Sequence, residues 1–205
     1  MLSARQACTI VLDLHEGSTR DGHPERFVIQ FCERSADGDY WIIRCNTEDC
    51  VVHGKTEYCY VGVNAHLVEV NTGALETVAS CFSVEEYLQD KQDLHVAAGR
   101  SYILVPSFSS ESKDAVVNLR KKLACSYPDT LALLMGTGRR WLTGKRRYLE
   151  EVLRLLASEG VATSIELHAD LQGAISIGPE TWHFDAVLKA LNERRVNLRE
   201  VGQRQ

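Results

Sequence analysis

No stretch of the chain approaches the roughly 18 consecutive apolar residues that a membrane-crossing helix requires. The opening residues, Met1-Leu2-Ser3-Ala4-Arg5-Gln6, lack a basic region leading into an apolar run. The first absence argues against a helical membrane protein, and the second makes a cytoplasmic location the expectation. Internal repeats and low-complexity segments are also missing, which leaves an ordinary folded domain or pair of domains. The cysteines lack regular spacing: Cys8, Cys32, Cys45, Cys50, Cys59, Cys81 and Cys125 form an odd set. Secreted disulfide scaffolds usually carry an even number in shorter chains. The seven are therefore expected as reduced thiols, mostly buried.

Catalytic motifs are equally scarce. The seven histidines are scattered, and Asp13 and His15, two residues apart, would diverge on a helix. Gly136-Thr137-Gly138-Arg139-Arg140 has the look of a phosphate cradle, yet it follows a helical pattern, where glycine more often ends the helix. No catalytic residue, cofactor or metal is assigned from the sequence, and the expectation is a protein that is not an enzyme. One cluster, Cys45, Cys50, His53 and Cys59 in the pattern C-x4-C-x2-H-x5-C, has the ligand types for zinc. Three of the four fall in or beside predicted strands, where cysteine is commonly a small core residue.

What is present is a globular composition, 44% hydrophobic and 25% charged over 205 residues, enough for one large domain or two small ones. Charge is divided unevenly. Residues 1–100 hold 8 Lys and Arg against 16 Asp and Glu, net −8, and residues 101–205 hold 15 against 12, net +3. An acidic half suits a basic partner drawn in electrostatically, or a solvated surface that keeps the chain soluble.

Helical spacing of Ala7, Ile10, Val11 and Leu14 predicts a helix over 3–15. A polar loop follows over 16–24. Five β-rich runs then predict a meander, 27–32, 40–45, 58–63, 66–70 and 75–80, separated by turn residues such as Asp37-Gly38 and Asn71-Thr72-Gly73, with sequence neighbours antiparallel. Ser83-Val84-Glu85-Glu86 reads as a capping box opening a short helix through Tyr87 and Leu88, and 89–99 closes the first unit.

The second unit is predicted to run as a strand at 102–105, helices at 113–123 and 128–135, an extended piece at 140–142, a helix ending at Gly160 and a strand at 161–167. A further strand at 173–177 and a helix opened by Pro179 complete it, with a frayed polar tail from Val196. The expected fold class is α+β: an N-terminal helix on an antiparallel meander in a domain of residues 1–98, then a β-α-α-β-α-β unit with an extra strand and helix over 99–205.

Residues 39–88 resemble the bacterial immunity protein 35 family. The features that carry the likeness are the strand Tyr40-Trp41-Ile42-Ile43, the run Tyr58-Cys59-Tyr60-Val61-Gly62, the hairpin Leu67-Val68-Glu69-Val70-Asn71-Thr72-Gly73 and the helix start Ser83-Val84-Glu85-Glu86-Tyr87-Leu88, in that order. The resemblance implies a small antitoxin that neutralises a co-encoded toxin by physical occlusion. Residues 102–167 are similar to the C-terminal domain of the bacterial ribosomal stalk protein, chiefly over Arg139-Arg140-Trp141-Leu142-Thr143-Gly144 and the helix and strand that follow. That family recruits translation GTPases through basic helical residues; Arg120, Lys121, Lys122, Lys145, Arg146 and Arg147 stand at comparable elements, while Cys125-Ser126-Tyr127-Pro128 replaces the family's glycine-rich link. The likeness bears on fold, since one fold hosts many functions.

The leading expectation is therefore an immunity protein that binds and occludes a cognate protein toxin with a basic active-site surface. Asp37, Asp39, Glu48, Asp49 and Glu57, in turns of the acidic half, are its candidate contact residues. Tyr40, Trp41 and Tyr58 are either aromatic anchors of that surface or strand core. The alternative is an adaptor that binds the translation machinery or nucleic acid through the basic second domain, where Arg139, Arg140, Lys145, Arg146 and Arg147 surround Trp141. The overall negative charge counts against nucleic acid, and no membrane partner is expected.

Overall fold

A computed structural model describes residues 1–202. Two compact units divide the chain, Met1–Gln89 and Asp90–Gln205. Their boundary falls inside a helix, whereas the sequence suggested residues 98 and 99.

The first unit begins with α1 (Ala4–Asp13), where Ser3 and Gln6 form a reciprocal capping box. The segment predicted as a plain loop holds a two-residue hairpin, β1 (Thr19–Arg20) with β2 (His23–Pro24). Next come β3 (Phe27–Arg34), β4 (Tyr40–Thr47), the one-turn helix α2 (Glu48–Val51), β5 (Val63–Glu69) and β6 (Leu75–Ala79). The four longer strands form one antiparallel meander in the order β3-β4-β5-β6.

Because side chains alternate across a strand, neighbouring apolar residues serve two cores. Ile43 and Val68 pack with Ala7 and Val11 of α1 on one face. Ile42, Leu67, Ala65 and Val78 pack on the other with Val84, Tyr87 and Leu88. These last three open α3 (Val84–Ala97), whose Ser83–Glu86 capping box is present as the sequence predicts. The helix itself runs to Ala97 and does not stop after Leu88. Tyr40 and Trp41 join these cores, Trp41 donating its indole N–H to the Leu2 carbonyl at 2.9 Å.

The predicted strand over 58–63 does not form. The carboxamide of Asn46 takes its place: Oδ1 accepts the Tyr60 backbone N–H and Nδ2 donates to the Tyr60 carbonyl, both at 2.9 Å. A side-chain amide thus satisfies the two backbone groups that a neighbouring strand would have paired. Residues Thr56–Tyr58 form a 3₁₀ turn instead.

The second unit carries β7 (Ser101–Pro106), α4 (Lys113–Leu123), α5 (Tyr127–Ala132), β8 (Leu142–Thr143), α6 (Arg146–Ser158), β9 (Thr163–His168), β10 (Ile175–Ser176) and α7 (Phe184–Gly202). This is the expected β-α-α-β-α-β order with a further strand and helix. Its sheet runs β10-β8-β7-β9, with β10 parallel to β8 and the other pairs antiparallel. Trp141 is fully buried at the centre of the core with Leu104, Leu119, Leu133, Leu142, Leu149 and Leu191, and its indole N–H meets the Leu133 carbonyl at 2.8 Å.

Two predictions at the C-terminal end fail for identifiable reasons. Pro179 does not start the last helix: Gly178 accepts the Thr181 N–H in a turn, and α7 begins at Phe184, where His183 Nδ1 caps the Ala186 N–H. Nor does the chain fray at Val196. Arg199, beyond it, is a helical residue whose guanidinium clasps the buried Asp129. The remainder of the predicted tail, 203–205, lies outside the described residues. Deeper in α7, Arg194 is 3% exposed and donates to the carbonyls of Thr137, Arg140 and Gln172. A Cβ on Gly173 would lie 2.1 Å from this guanidinium, and Gly173 has a left-handed φ of +77°, so only glycine fits there.

Candidate functional site

The five acidic candidates do not converge. Asp37 and Asp39 sit in the turn before β4, and Glu48 and Asp49 follow its last residue, so the two groups lie at opposite ends of an eight-residue strand, about 26 Å apart at 3.3 Å per residue. Asp37 is occupied in shaping its own turn, accepting from the Ser35 hydroxyl at 2.5 Å and the Asp39 N–H at 3.1 Å. These bonds hold its carboxyl below the usual aspartate range, the Ser35 bond contributing most. At the other end, Glu48 pairs with Arg26 at 3.4 Å and Asp49 with Lys55 at 2.8 Å. Glu57 stands in the 3₁₀ turn of the same loop.

That loop, residues 48–63, is tied down along its length. Cys50 and Cys59 are joined by a disulfide with Cα atoms 5.2 Å apart, which corrects the expectation of thiols only. Thr47 Oγ1 donates to the Tyr58 carbonyl at 2.9 Å, Arg20 donates to the Glu57 carbonyl at 2.7 Å, and Asn46 holds Tyr60. Arg20 lies over both the Tyr58 and Tyr60 rings, and the Tyr60 hydroxyl donates to Glu25 at 2.5 Å. On this anchored backbone Val61 is 90% exposed and Val52 61%, with Tyr60 and Val63 also outward. Glu48, Asp49 and Glu57 belong to the same loop.

The four residues with zinc-ligand types, Cys45, Cys50, His53 and Cys59, are dispersed. Cys50 and Cys59 bond to each other, His53 lines a different hollow beside Pro24 and Glu48, and Cys45 turns to the α1 face. There it meets two histidines that no local pattern connects to it. The Cys45 Sγ lies 3.5 Å from His15 Nε2, and one ligand atom each from His15, Cys45 and His66 lie within 4.8 Å of one another. His15, just past α1, stacks on Phe27 with ring centroids 3.9 Å apart, and His66 approaches it edge-on at 5.9 Å. His66 Nδ1 lies 3.2 Å from the Thr77 hydroxyl. Burial lowers the pKa of His15 and of His66, the latter also through repulsion by His15, and raises that of the Cys45 thiol.

This trio stands where the sheet divides. β4 and β5 pair from Tyr40↔Glu69 to Ile43↔His66 and then separate, β4 continuing with β3 and β5 with β6. Bulges on either side, at Gln30 in β3 and Asn64 in β5, supply the bend. Between the strands opens a cleft of about 420 Å³ bordered by Gln30, Arg44, Asn46 and Asn64 as well as Cys45 and His66. The clue available beforehand was strand parity: Cys45 shares a face with Ile43, and His66 with Val68.

The basic cluster of the second unit is used up internally. Lys145 and Arg147 both pair with Asp90, at 2.6 and 3.2 Å, and Arg146 pairs with Glu150 and Asp93. Arg140 pairs with Asp170, Lys122 with Glu159, and Arg139 donates to the carbonyls of Pro106, Phe108 and Leu134. Trp141, the aromatic they were expected to frame, is interior and unavailable for stacking.

No helix among the described residues is long and apolar enough to cross a membrane. No protein-family model, curated protein or solved structure matches the chain.

Proposed function

We propose that the chain acts by binding: it is an antitoxin of the immunity-protein kind that occludes a basic protein toxin, and its contact surface is the loop over residues 48–63. The observation that carries this reading is Val61, 90% exposed on a backbone fastened by a disulfide and by Asn46, Thr47 and Arg20. An apolar group held outward on a stiff loop loses little conformational entropy on docking. Apolar centres edged by charge are the usual make-up of a protein contact. The surrounding unit is acidic, which favours encounter with a basic partner. Reduction of the disulfide in a reducing compartment would leave the Asn46, Thr47 and Arg20 bonds in place.

The contact is then the loop and not the set of five acidic residues. Glu48, Asp49 and Glu57 lie within that loop, and Asp37 and Asp39 fall outside it. Lys145, Arg146 and Arg147, on which an adaptor role would rest, are spent on internal pairs.

Co-expression with the toxin encoded beside its gene tests the proposal. The expected result is rescue of growth and co-elution of the two proteins, with both weakened at least about tenfold by Val61→Asp, equivalent to 1.4 kcal/mol or more. Absence of both rescue and co-elution would overturn it.

A further inference from the structure

Three metal-type ligands come from three separate places in the chain, the end of α1, the middle of β4 and the middle of β5, and meet at one point. We infer that His15, Cys45 and His66 form a three-ligand site for a borderline divalent metal, zinc being the ion, with its fourth position open to the cleft between β4 and β5.

Distance supports the assignment first. Bonds of about 2.0–2.3 Å in a tetrahedral zinc site place neighbouring ligand atoms about 3.3–3.8 Å apart. The Cys45 to His15 separation of 3.5 Å already meets that, and the overall 4.8 Å limit leaves about an ångström to close. Ligand type narrows the metal. Two imidazoles and a thiolate suit zinc or copper and are poor hosts for magnesium or calcium, which take oxygen.

Orientation is the second support. Metal-bound histidines characteristically engage their other ring nitrogen with a hydrogen-bonding group that fixes the tautomer. The Thr77 hydroxyl, 3.2 Å from His66 Nδ1, is placed to do this. The Phe27 ring, parallel to His15 within 6°, holds the second imidazole in plane. His66 is 5% exposed and Cys45 half-buried, so the ligands stand in a partly dry setting backed by Ile43 and Val68.

The cleft provides the third support. Three protein ligands with one position facing open space are the pattern of a zinc that receives a water or an incoming group. Here Cys45 and His66 themselves border the 420 Å³ opening. Metal entry displaces the Cys45 thiol proton to solvent as the sulfur becomes a thiolate ligand. The site is independent of the partner-binding reading: either is able to fail while the other stands.

The test uses the purified full chain, stripped with a chelator and titrated with cobalt(II) and then zinc. One cobalt per chain, with a thiolate-to-cobalt charge-transfer band that zinc displaces, is expected. Cys45→Ser should abolish the band. His15→Gln and His66→Gln should each weaken binding beyond the roughly 10–100-fold cost of losing an outer-shell partner, and Thr77→Val should weaken it by about that amount. Cys50→Ser with Cys59→Ser should leave the band unchanged, and circular dichroism confirms that each variant is folded. No stoichiometric binding by the wild-type chain, or a charge-transfer band that survives Cys45→Ser, would overturn the proposal.

Discussion

The loop over 48–63 and the basic segment over 139–147 look alike in sequence, each mixing charged side chains with aromatics, and they end in opposite states. In the second segment nearly every cation is matched. Lys145 and Arg147 share Asp90, Arg140 holds Asp170, Arg139 caps three carbonyls, and Trp141 is the centre of the core. In the first, the polar groups secure the backbone and the apolar side chains point outward. Charge counted along a sequence therefore misleads about available surface: what matters is whether the counter-charge lies within the same fold.

The sharpest way to break this contrast is Trp141→Ala. If Trp141 is structural, the variant loses about 3–5 kcal/mol in urea unfolding, as large core truncations do. A loss near zero would return it to the surface. Arg194→Lys comes next. A lysine cannot span the three carbonyls that the guanidinium fork reaches, and leaving buried acceptors unpaired is expected to cost about 1–3 kcal/mol.

The third is a pH dependence. The Arg199 guanidinium, followed by the Ser126 hydroxyl, holds the Asp129 carboxyl well below the ordinary aspartate value. A depressed folded-state pKa means the unfolded chain binds the proton more readily, so this stabilisation is complete above about pH 4 and is lost as pH falls further. Acid unfolding of Asp129→Asn should show a shallower dependence than the wild type in that range. The smallest effect on stability belongs to Val61→Asp, within about 0.5 kcal/mol for so exposed a site. The same change should weaken partner binding, which separates a contact residue from a packing one.

Much of the fold was legible because it is written in local patterns. The helix over 113–123 follows from its apolar spacing, the Ser83–Glu86 box announces α3, and the turns at Asp37-Gly38 and Asn71-Thr72-Gly73 join the hairpins as expected. The misreadings share a cause, a long-range bond that replaces a local one. Asn46 supplies the pairing that residues 58–63 needed, so an apolar run with strand character stays irregular. Arg199 finds Asp129 seventy residues away, and a polar tail becomes helix. The His15, Cys45 and His66 trio depends on where β4 and β5 part, which is a matter of register and bulges. Ligand type along the chain instead singled out Cys45 with Cys50, His53 and Cys59, at a spacing poor for zinc, and the fold sends the last three elsewhere.

Hydrogen exchange on the chain, alone and in complex with the toxin from the co-expression experiment, tests the binding surface most directly. Slowed exchange is expected across residues 48–63, with no change over 139–147. Protection confined to 139–147, or none in the loop, would contradict this expectation.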